Sequence, residues 1–498
     1  MIKKCAKLKR VVMALAMVTI SLLGQSSSAM SVDWAGVYRF EYTEVDSTSL
    51  GSPHLRKSYL LNHLHLSPKI IAADGVNVVA RFDVLPNSYY PDSQVGQQFG
   101  SGSSRSSTGY SSSNTDSSVA GNNQKSTNLS VTQLYLNINQ EYGAIVVGRA
   151  PVQFGLGMTH SAGNGAFDHW YDTRDMLGYK FLIGNLSIMP IIGKVYDASV
   201  SQGKDVTDVI WNVEYNNPET ESIFGLFHQT RSSSYISNDA PINRLRGSSI
   251  VGGYNVQDVN VYLARGFESV KFRIEAGFRS GGTGVATTSG DEVRMNGYGV
   301  ALETDFVSAS KTQWSLKTGI ASGDNPNTSN FEGYMFDRNY DIAFLLFNHP
   351  MGASGYDVFQ TRIQRNTDPT CTGATATTPC AVKENDEAVD EETVSNLMYF
   401  SPRFKHAVND KWDWTGSLTW AQLQNPTVVA PASGSTYTDA GRDVGYELDT
   451  GFVYKPTERL QWLNELGLFL PGSAFKGGSN SYSNGFTYGF QSKAAISF

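Results

Sequence analysis

The chain has 498 residues, of which 40% are hydrophobic, 12% aromatic and only 17% charged, with 48 glycines and a net charge of −7. Sparse charge, frequent aromatics and abundant glycine favour strands and turns over helices, and a net-acidic chain argues against nucleic acid as a partner. Beyond the N-terminus no stretch approaches about 18 consecutive apolar residues, which excludes a helical membrane protein.

Residues 1–29 read as a secretory signal peptide. Lys3, Lys4, Lys7, Lys9 and Arg10 precede an apolar run over 11–23, and Ser27-Ser28-Ala29 supplies small residues for cleavage. Residues 30–498 are expected to form one domain. Its first segment alternates strictly: Val32, Trp34, Gly36, Tyr38, Phe40 and Tyr42 share one face, and Asp33, Ala35, Val37, Arg39, Glu41 and Thr43 share the other. A period of two means a strand. An aromatic face opposite a charged one suits a barrel with lipid outside and water inside.

The same grammar continues along the chain. A second strand over 58–68 and a turn at Ala73-Asp74-Gly75 lead to a third, where Val76, Val78, Ala80 and Phe82 alternate with Asn77, Val79, Arg81 and Asp83. A Ser/Gly/Asn-rich loop covers 88–128. Strands over 129–139 and 144–154 flank a tight turn, and 155–175 is irregular. Gly184-Asn185 signals a hairpin. Strands over 205–215 and 222–230 precede a loop at 231–248. One strand ends near Arg265, and the next sets Val270, Phe272, Ile274, Ala276 and Phe278 against Lys271, Arg273, Glu275, Gly277 and Arg279. Strands over 294–306 and 314–320 lead to the longest irregular stretch, 323–390. Strands then cover 394–405, 412–420, 443–454 and 460–470, with a loop at 425–442. The last strand runs over 486–498 and ends on Phe498, a terminal phenylalanine of the kind that assembly machinery reads on outer-membrane barrels.

This makes an all-β transmembrane antiparallel barrel of about 18 strands, an even number. Connections after even-numbered strands are short and those after odd-numbered strands are long. Sorting by parity is what short periplasmic turns and long extracellular loops require. The last strand must pair with the first to remove both edges, with Lys493 expected near Asp33.

Alternation assigns Arg39, Arg81, Arg149, Lys180, Lys194, Arg265, Lys271, Arg273, Glu275, Arg279, Lys317, Glu447 and Asp449 to a lumen that forms the solute path. Basic residues concentrate on the tenth to thirteenth strands, and a positive wall favours anionic solutes. Asp168, Asp172, Arg174 and Asp175, with Asp324, Asp337 and Arg338, form a charged rim or loops folded into the lumen. The apolar run over 342–347 does not belong in a solvated loop and is expected to fold inward as a constriction. Cys371 and Cys380, the mature cysteines, are expected to pair as a disulfide in an oxidising compartment. No catalytic elbow, zinc helix or phosphate loop is present, and no cofactor or metal is expected.

The ordered motifs Gly148-Arg149-Ala150-Pro151, Asp172-Thr173-Arg174-Asp175, Ala321-Ser322-Gly323-Asp324, Gly445-Tyr446-Glu447-Leu448-Asp449 and Phe469-Leu470-Pro471-Gly472 resemble those of the alginate-export family of outer-membrane channels. The resemblance implies an 18-stranded barrel passing an anionic polysaccharide. The connection over 455–459 is short where the family's exporter has a long turn. The expected function is a bacterial outer-membrane porin, not an enzyme, passing small hydrophilic solutes, possible anions or saccharides among them, with membrane lipid and the assembly machinery as partners. The alternatives are an adhesive barrel with a plugged lumen, and a hydrolase using Asp168, His169 and Asp172.

Overall fold

A computed structural model describes residues 31–51, 54–85, 95, 97–98, 129–197, 205–233, 252–286, 290–308, 310–325, 328, 330–352, 392–425, 428–429, 438–439, 441–476 and 483–498. The leader, Cys371 and Cys380 lie outside the described residues. Eighteen long strands build the wall. They are β1 (Ser31–Val45), β2 (Lys57–Ala73), β3 (Val76–Val84), β4 (Leu129–Gln140), β5 (Gly143–Pro151) and β6 (Thr173–Ile183). Next come β7 (Leu186–Asp197), β8 (Asp205–Asn217), β9 (Ser222–Ser233), β10 (Tyr254–Gly266), β11 (Val270–Ala286) and β12 (Glu292–Phe306). The wall finishes with β13 (Thr312–Ala321), β14 (Leu397–Asn409), β15 (Trp412–Leu423), β16 (Asp443–Thr457), β17 (Leu460–Pro471) and β18 (Thr487–Ser497).

Each strand pairs antiparallel with its neighbours in sequence, and β18 pairs with β1 from Val37↔Ser497 to Val45↔Gly489. The sheet therefore closes and leaves no long edge. Phe498 extends the seam, exchanging backbone hydrogen bonds with Gly36 in both directions at 3.0 Å. The expected meeting of Lys493 and Asp33 is corrected: Lys493 stands opposite Glu41, and Asp33 stands opposite Lys69 on β2. The last strand ends farther from the short-turn end than a flush pairing would place it, with Phe498 level with Gly36 while β1 begins at Ser31.

Loop parity follows the sequence. Tight turns such as Gly184–Asn185 lie at one end with both strand termini of the seam. Gly184 sits at φ +57, a conformation a side chain would strain. Strand ends differ from expectation in two places that matter. The stretch at 155–175 is irregular only to Asp172, because β6 begins at Thr173 and takes Arg174 and Asp175 into the wall. Within 88–128, Gln97–Gln98 forms a short strand on the upper part of β2, opposite Leu61 and Asn62, where β3 has already ended.

The outer face carries the apolar surface. Trp34, Tyr38, Leu177, Ile192, Trp211, Phe278, Trp314, Phe400, Leu418, Phe452 and Tyr488 are all exposed there. The packed core lies on the inside instead, where chain from the long-loop end enters the barrel. The β1–β18 register sets Val37 opposite Ser497 on the inner face, with directly opposed Cα atoms about 4.5–5.5 Å apart. Val37→Cys with Ser497→Cys is expected to form a disulfide on oxidation, visible as altered gel mobility of the unfolded chain. Tyr38→Cys with Ser497→Cys, one residue out and on opposite faces, should stay reduced. The reverse pattern would refute the register.

Candidate functional site

Two segments enter the lumen, and charged side chains of the wall hold both by their backbones. The first runs from Val152 to Asp172. Glu275 of β11 receives the Leu156 amide at 2.7 Å, the Met158 amide at 3.3 Å and the Thr159 hydroxyl at 2.9 Å. On the opposite wall Arg81 donates to the Gly163 carbonyl at 2.8 Å. Arg39 donates to the carbonyls of Asp168 and Val95. Glu41 lies 2.9 Å from Arg39 Nε and 3.0 Å from His169 Nε2. An amide or carbonyl left unmet in this buried space costs about 1–3 kcal/mol, so the wall charges make insertion possible.

The second segment, 331–352, carries the apolar run. Ile342, Ala343, Phe344, Leu345, Leu346 and Phe347 are only 0–4% exposed. Glu447 of β16 receives the amides of Leu345 and Leu346 at 2.6 and 2.7 Å. Lys317 donates to the Asp341 carbonyl at 2.9 Å, and Arg403 donates to that of Ile342. Gly489 of β18 leaves room for the run: a Cβ there would come within 2.6 Å of Leu345 Cδ2.

The two segments also bind each other. The Asp337 amide donates to the Met158 carbonyl at 2.7 Å. Asn339 accepts from the Trp170 amide at 3.0 Å and donates to the Trp170 carbonyl at 2.7 Å. The Arg338 guanidinium lies 4.2 Å from the centre of the Trp170 ring. Beside this joint is a cavity of about 90 Å³ whose polar lining includes Asp168, Arg338, Asn339, Asp341, Gln491 and Lys493.

The sequence-derived lumen residues divide into three groups. Arg39, Arg81, Glu275, Lys317 and Glu447 anchor the inserted segments. Asp449 accepts from Ser417 at 3.0 Å beside Glu447. Lys271, Arg273 and Arg279 face inward as expected, but each has a carboxylate. Lys271 meets Glu221 at 2.6 Å, Arg273 meets Asp305 at 2.8 Å and Glu303 at 3.1 Å, and Arg279 meets Asp258 at 2.7 Å. The supposed positive wall is therefore a lattice of mixed sign. Arg149, Lys194 and Arg265 are corrections, because register puts them on the outer face. Arg149 stands opposite exposed Leu134, and Lys194 stands opposite Asp175. Arg265 is opposite Phe272, with its guanidinium 5.2 Å from the Phe267 ring.

The loop residues separate likewise. Asp168 and Asp172 lie in the first inserted segment, and Asp337 and Arg338 lie in the second. Asp324 receives the Glu332 amide at 3.1 Å in the outer loop. Arg174 is a wall residue facing inward, 2.8 Å from Asp208. Asp175 is corrected from rim to outer wall. The acid–base trio Asp168, His169 and Asp172 does not assemble: His169 turns to Glu41, Asp168 receives the Gly165 amide, and Asp172 faces Arg174. Asp208, Asp258 and His63 were missed, although the alternation of β8, β10 and β2 marks all three as inward. His63, His65 and Asp83 place three ligand-type atoms within 4.8 Å of one another. They fit a metal poorly. Asp83 already binds His63, Arg81 and Thr132, and guanidinium charge stands beside it.

No family model matches the chain, and no curated protein matches it. Solved structures do. OccAB1 of Acinetobacter baumannii has a TM-score of 0.48 at 9% identity, covering 94% of this chain and 96% of that one. OccK2 (OpdF) of Pseudomonas aeruginosa, in complex with glucuronate, has a TM-score of 0.47 at 10% identity, covering 94% and 98%. The anion-selective porin from Comamonas acidovorans has a TM-score of 0.42 at 9% identity, covering 94% and 100%.

The joint between the segments concentrates acids. Burial, then the nearby Asp172 and Asp168 charges, pushes the Asp337 carboxyl well above the usual range, against the Arg338 charge. Burial raises Asp168 too. Each acid is most stable in place when neutral, so the stabilisation is complete at low pH and lost as pH rises through the raised values. Amide protection at Asp337 and Trp170, corrected for the pH dependence of free-peptide exchange, is expected to fall with rising pH. Asp337→Asn should flatten that fall. Protection that grows with pH would contradict the assignment.

Proposed function

We propose that the chain is an outer-membrane porin through which small hydrophilic solutes diffuse passively, narrowed by the two inserted segments. The observation that carries this reading is a closed antiparallel wall with an apolar outer face and a charged inner one, whose lumen keeps a polar cavity beside a joint of two loops. The barrel resides in the bacterial outer membrane, with tight turns on the periplasmic side and long connections outside. Export uses the leader over 1–29. Phe498, exposed and hydrogen-bonded to the first strand, serves the assembly machinery as its signal. Cys371 and Cys380 pair within the outer loop, which thiol titration of the mature chain tests.

Kinship with the alginate-export family is the finer part of the proposal. Its support is positional: the motif residues Arg174, Glu447 and Asp449 face the lumen, and Glu447 is an anchor. The solute class is set less by the wall than by what the segments present at the joint, because Lys271, Arg273 and Arg279 are neutralised by carboxylates.

Single-channel recording from the refolded chain in planar bilayers tests the pore. Conducting steps are expected, and silence at every voltage would defeat it. Glu447→Ala removes two amide contacts of about 0.5–1.5 kcal/mol each. It should raise conductance or open-state noise as the apolar run loosens, and Glu275→Ala should do the same through the first segment. If the protein and both variants are silent, the plugged adhesive barrel is the better reading. Replacing Arg273 and Arg279 together by Ala should shift the reversal potential in a salt gradient only slightly. A large shift toward cation preference would mean that these arginines meet the solute.

A further inference from the structure

Most titratable groups that line the cavity at the joint are already met by the protein. Lys493 lies 3.7 Å from Glu41, and His169 turns to the same carboxylate at 3.0 Å. Asp168 receives the Gly165 amide at 2.7 Å. Two full charges are left over, one of each sign. Neither Arg338 nor Asp341 makes an ion pair among the described residues. They do not pair with each other either, although they lie on one inserted segment three positions apart in sequence.

Neutral groups hold the two apart. The Tyr340 amide donates to the Asp337 carbonyl at 3.0 Å, which closes a turn with Arg338 and Asn339 at its tip. Asn339 pins that tip to both backbone groups of Trp170, and the Arg338 guanidinium lies over the Trp170 ring at 4.2 Å. A ring contact takes the face of a guanidinium and leaves its N–H edge for a ligand. Asp337 does not compete for that edge, because its Oδ1 accepts the Asn339 amide at 2.8 Å. Asp341 is exposed to the cavity. Its Oδ1 accepts from the Asn348 amide group at 2.8 Å, and its Oδ2 carries no bond among the described residues. Lys317 holds the Asp341 carbonyl at 2.9 Å but gives its charge to Glu303 at 3.0 Å.

We propose that Arg338 and Asp341 together bind a small zwitterion, its carboxylate on the guanidinium and its ammonium on the Asp341 carboxylate. A simple anion gains from Arg338 but is opposed by Asp341, and a simple cation meets the reverse. A molecule that carries both charges satisfies both groups with charge-assisted bonds. A neutral sugar would reach the same atoms, but with weaker bonds in exchange for the hydration of two ions. Because each side chain is already held, little ordering remains to be done on binding. This deepens the porin reading by naming a solute class, and it rests on that reading for the solute's arrival at the joint.

The test is saturation-transfer NMR titration of the refolded full chain in detergent at neutral pH. The probes are 2-aminobutyrate and 4-aminobutyrate as zwitterions, butyrate and butylammonium as their two halves, and glucose as a neutral solute. The better-fitting zwitterion should bind about tenfold tighter than either half or glucose, equivalent to about 1.4 kcal/mol. Arg338→Gln should weaken it about tenfold and leave butylammonium unchanged. Asp341→Asn, which keeps the bond from Asn348, should weaken it about tenfold and leave butyrate no weaker. A merely structural role would lower all probes alike, and that result would overturn the assignment. So would butyrate, butylammonium or glucose binding as tightly as the better zwitterion, or no binding of either zwitterion by the wild type. Heat-modifiable gel mobility confirms that each variant is folded. Binding is read without conduction, so a silent barrel that binds the zwitterion defeats the pore and leaves the site, while a conducting barrel that does not bind it defeats the site alone.

Discussion

The structure depends on how a hydrated wall can hold chain that has entered its lumen. Inserted backbone brings amides and carbonyls that bulk water no longer reaches. The wall answers with charge of the matching kind. Glu275 and Glu447 take amides, while Arg39, Arg81, Lys317 and Arg403 take carbonyls. Residues that would pass for a solute path therefore serve first as a scaffold for the inserted chain. The apolar run at 342–347 can be buried because its ends and its amides are met, not because the lumen is apolar.

The fold was legible because its two signals are local. Alternation names a strand's faces, and loop length names its ends. Both hold strand by strand, and the closed seam with its Phe498 follows. The errors came where charge was used to decide a face. On β5, Ala144, Val146, Gly148 and Ala150 are as apolar as Ile145 and Val147, so alternation marks neither side. Arg149 appeared to break the tie and broke it wrongly. On β10 the pattern of Val259, Val261 and Leu263 does mark the outside, and Arg265 continues it to the point where the membrane ends. A charge at a strand end reports the membrane boundary as readily as the lumen.

The site was legible in part, for a different reason. An apolar run within a long loop is a local anomaly, and it signals inward folding. Its partners are not local: Leu345 and Glu447 are 102 residues apart, and Leu156 and Glu275 are 119. Register across several strands decides those meetings, and a single sequence does not carry that register. The trio Asp168, His169 and Asp172 shows the converse. Nearness in sequence suggested one site, whereas extended chain sends each side chain to a different neighbour.

Selectivity cannot be read by counting lumen charges. A cation beside a carboxylate contributes little field to a passing solute, and that describes Lys271, Arg273, Arg279 and Lys317. What remains are charges whose partners are neutral. Glu275 and Glu447 are spent on amides behind the segments they hold. Arg338 differs: it forms no ion pair among the described residues, its ring partner Trp170 leaves its N–H groups unused, and it lines the cavity at the joint. The inserted loop therefore places beside the cavity at the joint a cation that the wall does not supply. Lys493, in the same lining, lies 3.7 Å from Glu41, and Asp168 and Asp341 are the acids there, so Arg338 is the lining cation with no carboxylate partner among the described residues.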